Sequence, residues 1–164
     1  MARRIDARLH EELAAAAAAH PRRRSHRQWH DPAVDAVQRF FVHMQPGTYV
    51  RPHCHAIQAR IETTLVLSGA LELLLFDEAG ALIERVALSP DGIQGVEIAP
   101  QEWHGFVVQA PSTLFEVKQG PYDPNADKRF ADWAPAEDAD AVPEFQRWLE
   151  TAALGERWSG AGGI

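Results

Sequence analysis

From residue 37 to residue 118 the chain is written in short apolar runs separated by turn-forming residues. Val37 to Met44 reads as a strand closed by Pro46-Gly47, and Thr48 to His55 as another. Glu62 to Leu67 follows, closed by Ser68-Gly69, where glycine permits a turn that sends the chain back. Ala70 to Phe76 and Leu82 to Leu88 flank Asp77-Glu78-Ala79-Gly80, a hairpin signal, and Ser89-Pro90-Asp91-Gly92 is a strong turn. Val96 to Ile98, Gly105 to Gln109 and Thr113 to Val117 complete the series. Many short strands at close spacing predict a β-sandwich or barrel.

The flanks have a different texture. Ile5, Leu9, Leu13 and Ala16 recur at helical spacing in an alanine-rich stretch, which predicts a helix over 5–19 ended by Pro21. Arg22 to Trp29 is basic and without period, an extended arm. After Gly120-Pro121 the chain is irregular and acidic to about Val142; Pro143 to Leu154 then predicts a helix with Phe145, Trp148 and Leu149 on one face. The glycine-rich end, Ser159 to Ile164, is expected to fray. The chain thus divides into a helix and basic arm (1–30), a β-barrel (31–122) and an acidic C-terminal extension with a helix (123–164).

A length of 164 residues with 46% hydrophobic composition suits a folded domain with a real core. The net charge of -7 argues against nucleic acid as a partner, which needs a broad basic field. The Arg22-Arg23-Arg24 run is either a solvated surface or a site for an anionic group. Cys54 is the only cysteine, so a reducing compartment is expected. No apolar run reaches membrane-spanning length. Met1 to His20 does not read as a secretion signal, because Glu11 and Glu12 precede a short, weakly apolar alanine run. A cytoplasmic protein is the expectation.

Two segments carry candidate chemistry. In Arg51-Pro52-His53-Cys54-His55, residues two apart on a strand face the same side, so His53 and His55 project together and Cys54 points away. The next strand opens at Glu62 and brings a carboxylate beside them. In Val96 to His104, a strand and a proline turn lead to a histidine opening the next strand. Three imidazoles and one carboxylate, from His53, His55, Glu62 and His104, form a mixed set suited to one divalent Zn, Fe, Mn, Co or Ni ion. The same parity puts Tyr49 and Arg51 inside the barrel. There they are either catalytic, Tyr49 as an acid and Arg51 holding a carboxylate or phosphate, or mere lining of the barrel mouth. Glu116 and Lys118 also share a face, as an internal ion pair or as pocket lining.

The spacing resembles the two cupin motifs. Five residues separate Gly47 from His53-x-His55, and six separate Glu62 from Gly69; His104 stands where the second motif has its histidine. Two departures are plain. Six residues separate His55 from Glu62, an insertion that a surface loop absorbs at little entropic cost. Gln101 replaces the turn glycine, and a left-handed non-glycine residue costs on the order of 1 kcal/mol.

More closely, the chain resembles the WbuC family of cupin-fold metalloproteins found beside bacterial surface-polysaccharide genes. The likeness runs through Arg22-Arg23-Arg24, Val37-Gln38-Arg39, Gln45 to His53, Gly95 to Ile98, Trp103-His104, Leu114 to Lys118, Gly120 to Pro124, and Asp127-Lys128 through Phe130 to Pro135. It implies an all-β fold: a single cupin (double-stranded β-helix, jelly-roll) barrel with flanking N- and C-terminal helices. It further implies one metal ion per chain, a small-molecule ligand such as a sugar, sugar phosphate or sugar nucleotide, and a homodimer, with the helix near Trp148 offering an apolar stripe to a partner. Fold does not fix the reaction. An isomerase or epimerase, an Fe(II)-dependent dioxygenase and a non-catalytic binding module all fit such a site.

Overall fold

The computed structural model describes residues 2–30, 35–55, 60–121, 123 and 127–160. In chain order the elements are α1 (Ala7–Ala19), β1 (Arg24–Gln28), β2 (Val37–Met44), β3 (His53–Cys54), β4 (Glu62–Phe76), β5 (Leu82–Leu88), β6 (Gly95–Ile98), β7 (Trp103–Gln119), β8 (Arg129–Phe130) and α2 (Val142–Thr151). Helix α1 begins where the Asp6 side chain accepts the Leu9 N–H at 3.1 Å, satisfying one of the free donors of the first turn. Its buried face, Leu9 and Leu13, packs on Phe41 of β2.

The strands form one curled antiparallel sheet built around a long ribbon. Strands β4 and β7 pair from Glu62 opposite Lys118 to Phe76 opposite Trp103. The outer edge of β7 takes β2 and then β3; that of β4 takes β6 and then β5. Alternation sorts the side chains. Leu71, Leu73 and Leu75 enter the barrel with Val42, Met44, Ile98, Phe106 and Leu114. Leu74 and Phe76 face outward to meet Phe145 and Leu149 of α2. The apolar stripe of α2 is therefore covered by the chain's own barrel, with Trp148 packed at its edge, and is not left for a partner as the sequence suggested.

Three expectations are corrected. The Ser68-Gly69 signal does not send the chain back: β4 is continuous, and Gly69, at φ 90°, marks a bend with shifts of register. A Cβ at Gly69 would lie 2.3 Å from the Pro111 carbonyl oxygen, so the two strands approach too closely there for any side chain. Gly105 to Gln109 and Thr113 to Val117 are likewise one strand, β7, bent at the same level. The Thr48 to His55 strand shrinks to His53–Cys54, because Pro46 and Pro52 offer no N–H to a ladder. Conversely, the basic arm contains a strand, β1, paired with β2. The fraying expected at the C-terminal end falls, from residue 161 on, outside the described residues. Among the described residues no helix is long and apolar enough to cross a membrane.

Candidate metal centre

The histidines meet because β3 is threaded against the start of β7. His53 pairs directly with His104, and His55 follows one residue beyond β3. One ring nitrogen from each of His53, His55 and His104 lies within 4.8 Å of the others, and all three residues are buried. Glu62, the first residue of β4, brings its Oε2 to 2.8 Å from His55 Nε2 and is equally buried. The sequence-predicted quartet is thus brought together, with the carboxylate on the His55 side.

Each imidazole is oriented from behind. The Nδ1–H groups donate to backbone carbonyls: His53 to Arg51 at 3.0 Å, His55 to Asp127 at 2.7 Å and His104 to Glu102 at 3.0 Å. This fixes one tautomer and leaves each Nε2 lone pair facing the common centre. His55 Nε2 and His104 Nε2 are buried without a hydrogen-bond partner, so the approach of Glu62 to His55 is a meeting of two acceptors at a shared point. Burial pushes His53 well below the ordinary imidazole range and His104 down to about 4, keeping both neutral. Burial pushes the Glu62 carboxyl upward, and the Lys118 ammonium 3.6 Å away pulls it down and favours the ionised form. Neutral imidazoles and an ionised carboxylate are the protonation states a divalent transition-metal ion requires, so the donor set fits such an ion.

A buried ion network supports the site. Lys118 Nζ lies 3.6 Å from Glu62 and 3.5 Å from Asp127, and Asp127 lies 3.9 Å from Arg60. Asp127 therefore steadies two ligands, His55 through its carbonyl and Glu62 through Lys118. The pairing left open for Glu116 and Lys118 is resolved by this geometry. Lys118 serves Glu62 and Asp127, whereas Glu116 lines the cavity above the histidines.

That cavity, about 190 Å³, is lined by His53, Glu62, Glu116, Lys128 and the inward face of β1, and it adjoins an outer bowl of about 480 Å³. His26, Glu116 and Lys128 border both spaces. A basic arm without apolar alternation gives no sign of which way His26 points; because β1 is a strand, Arg24, His26 and Gln28 share one face.

Glu116 is pushed up to about 7 by burial and by the Glu62 charge. A carboxyl whose folded pKa is raised binds extra protons in the native state, so it erodes stability as pH rises from 4.5 towards 7. In the metal-free protein, Glu116→Gln should therefore be more stable than wild type at about pH 8. A difference on the order of 1 kcal/mol is expected, since the half-exposed group is partly screened by water, and it should vanish at acid pH. Urea unfolding across pH checks this; a variant less stable than wild type at alkaline pH contradicts it.

Tyr49 and Arg51 are not where strand parity put them. The Tyr49 hydroxyl donates to the Pro135 carbonyl at 2.8 Å, and its ring packs in the outer cluster with Cys54 and Phe145. Burial raises its pKa. Arg51 donates twice to the Ala131 carbonyl, at 3.1 and 2.6 Å. Val50 is the residue that turns inward to the cavity, since the segment before Pro52 is not a regular strand and the two-residue period does not carry through it. The arginine run is also engaged: Arg24 reaches Glu137 at 2.5 Å and the Tyr49 carbonyl at 2.6 Å, and Arg22 reaches Glu137 at 3.4 Å. Gln101 takes the left-handed conformation, φ 65°, that its place in the turn before His104 demands.

Fold and site together define a cupin-fold barrel with a histidine cluster able to hold a metal ion. The same fold appears in solved structures of low identity. The capsular polysaccharide assembling protein CapF from Staphylococcus aureus is 21% identical, with TM-score 0.54 over 65% of this chain and 29% of that one. The cupin-2 domain protein Rru_A2000 from Rhodospirillum rubrum is 14% identical, with TM-score 0.53 over 78% and 80%. KdgF from Halomonas sp. is 21% identical, with TM-score 0.50 over 64% and 84%. The chain spans less than a third of CapF. It belongs to the family DUF6016, described as a domain of unknown function, whose profile matches residues 5–88. No curated protein matches it.

Proposed function

We propose that the protein is a metal-dependent cupin of the WbuC type that acts on a small anionic sugar, sugar phosphate or sugar nucleotide, with isomerisation or epimerisation as the reaction class. In this reading His53, His55, Glu62 and His104 hold one divalent ion. The observation that carries it is the convergence of three Nε2 atoms, each imidazole locked from behind by a backbone carbonyl. A bound ion would supply Lewis-acid polarisation of a ligand oxygen. Glu116 borders the cavity above the ligands and is the group placed to take or give a proton. The apolar wall of Val42, Met44, Val50 and Phe106 excludes water from one side of the chamber. The sugar setting, a cytoplasmic location and a homodimer belong to the same reading and rest on the WbuC resemblance and the single buried Cys54.

The test is elemental analysis of protein purified without chelators or nickel columns, followed by incubation with a panel of sugar phosphates and sugar nucleotides. Stoichiometric zinc or manganese with sugar turnover is the expected result. Iron with oxygen uptake would replace this reading with a dioxygenase. Absence of any stoichiometric ion would remove it.

A further inference from the structure

The cations around the cavity can be accounted for in turn. Arg22 and Arg24 share the Glu137 carboxylate. Lys118 lies between Glu62 and Asp127. Arg51 is held by the Ala131 carbonyl, and the Arg129 guanidinium lies over the Trp103 ring at 4.7 Å. Lys128 is different. It borders both the inner chamber and the outer bowl, yet makes no hydrogen bond or ion pair among the described residues. Its backbone is pinned between Asp127, whose carbonyl accepts from His55, and β8, which pairs with β3. An exposed ammonium without a partner among the described residues thus stands where the two spaces adjoin, next to the segment that orients a proposed metal ligand.

We propose that Lys128 is the anion anchor of this site. It takes the carboxylate or phosphate of a small polyhydroxylated ligand whose other, oxygen-bearing end points towards His53, His55, Glu62 and His104. The inference rests on the metal-dependent reading of the cavity and names the part of the ligand that reading leaves open.

Three features support it. The inner chamber, about 190 Å³, is below the usual size of a pocket that encloses a whole drug-sized molecule, so it suits the reacting end of a ligand while the bowl accepts the rest. A ligand spanning the two adjoining spaces would meet Lys128, His26 and Glu116, the lining residues common to both. Lys128 is exposed to the two spaces rather than packed away, so an anion can reach it, and the like charge of Lys118 nearby adds to the positive field that an anion would meet. The ammonium is a compact point charge that accepts carboxylate or phosphate alike.

The experiment compares glucose, glucuronate and glucose 6-phosphate as probes, by calorimetric titration of metal-loaded wild type, Lys128→Met and Lys128→Arg, with metal content measured on each. Wild type should bind at least one acid about ten-fold or more tightly than glucose, the scale of one charge-assisted contact. Lys128→Met should lose that preference with metal content unchanged, and Lys128→Arg should keep most of it. Which acid is preferred separates a carboxylate from a phosphate ligand. Equal affinity of wild type for glucose and both acids, or an undiminished preference in Lys128→Met, overturns the inference. Metal content is read independently, so loss of the metal reading is recognised separately. If wild type carries no ion, the same titrations on the metal-free protein still show whether Lys128 selects the anion.

Discussion

Replacing both His53 and His55 with alanine is expected to leave the protein without stoichiometric metal. The two imidazoles face the same centre as His104, and neither Glu62 nor His104 can replace their donors. The double variant keeps only one nitrogen and one carboxylate, and a two-donor site does not retain a divalent ion against washing. The fold should survive, because the ligand end of β3 contributes two residues to the sheet while the apolar interior is built from other strands. Elemental analysis of folded variant and wild type, purified side by side, gives the answer. Undiminished metal in the variant would show that the ion resides elsewhere.

The second large effect is expected at Lys118. Its ammonium is buried and faces the carboxylates of Glu62 and Asp127 at 3.6 and 3.5 Å. Burial alone would lower its pKa, but these acids and Glu116 raise it above 10.5. A lysine whose pKa is raised on folding contributes its full stabilisation below 10.5 and loses it as pH climbs through the higher folded value. Lys118→Met keeps much of the stem and removes the charge, leaving the buried Glu62 without its ammonium and Asp127 with Arg60 at 3.9 Å. The metal-free variant should be less stable at neutral pH by about 3–5 kcal/mol. Its metal affinity should fall roughly 10- to 100-fold, the usual effect of losing a partner behind a ligand. The stability gap should narrow in strongly alkaline solution. Unfolding curves that coincide with wild type at neutral pH would show that the network carries no net stabilisation.

The parts legible in the sequence are those governed by local periodicity. Val37–Met44 and Leu82–Leu88 are strands with the predicted ends, since apolar alternation and flanking turn residues agree there. The meeting of His53 and His55 was legible from spacing, because histidines two apart on a short strand keep their common direction. Tyr49 and Arg51 were not, because that direction depends on an unbroken strand and Pro52 interrupts it. Gly69 and Pro111 look like chain reversals in one dimension. Only the pairing of β4 with β7 shows them opposing each other in a shared bend. Asp127 and Lys128 lie more than 60 residues after Glu62, and nothing in their own neighbourhood announces the metal centre.

The bend in the long ribbon has a mechanical meaning. Glu62 is paired at one end of the ribbon with Lys118, and His104 at the other end with Leu75. Along an unbent strand those ends would stand roughly 43 Å apart. In the protein, His55 touches Glu62 and lies within 4.8 Å of His104, so the ribbon doubles back and its two extremities are brought to one point. An ion held there would act as a clasp on a hoop. It would fasten the tips of the same two strands that form the spine of the barrel, so that each ion captured would resist opening of the whole hoop by mass action.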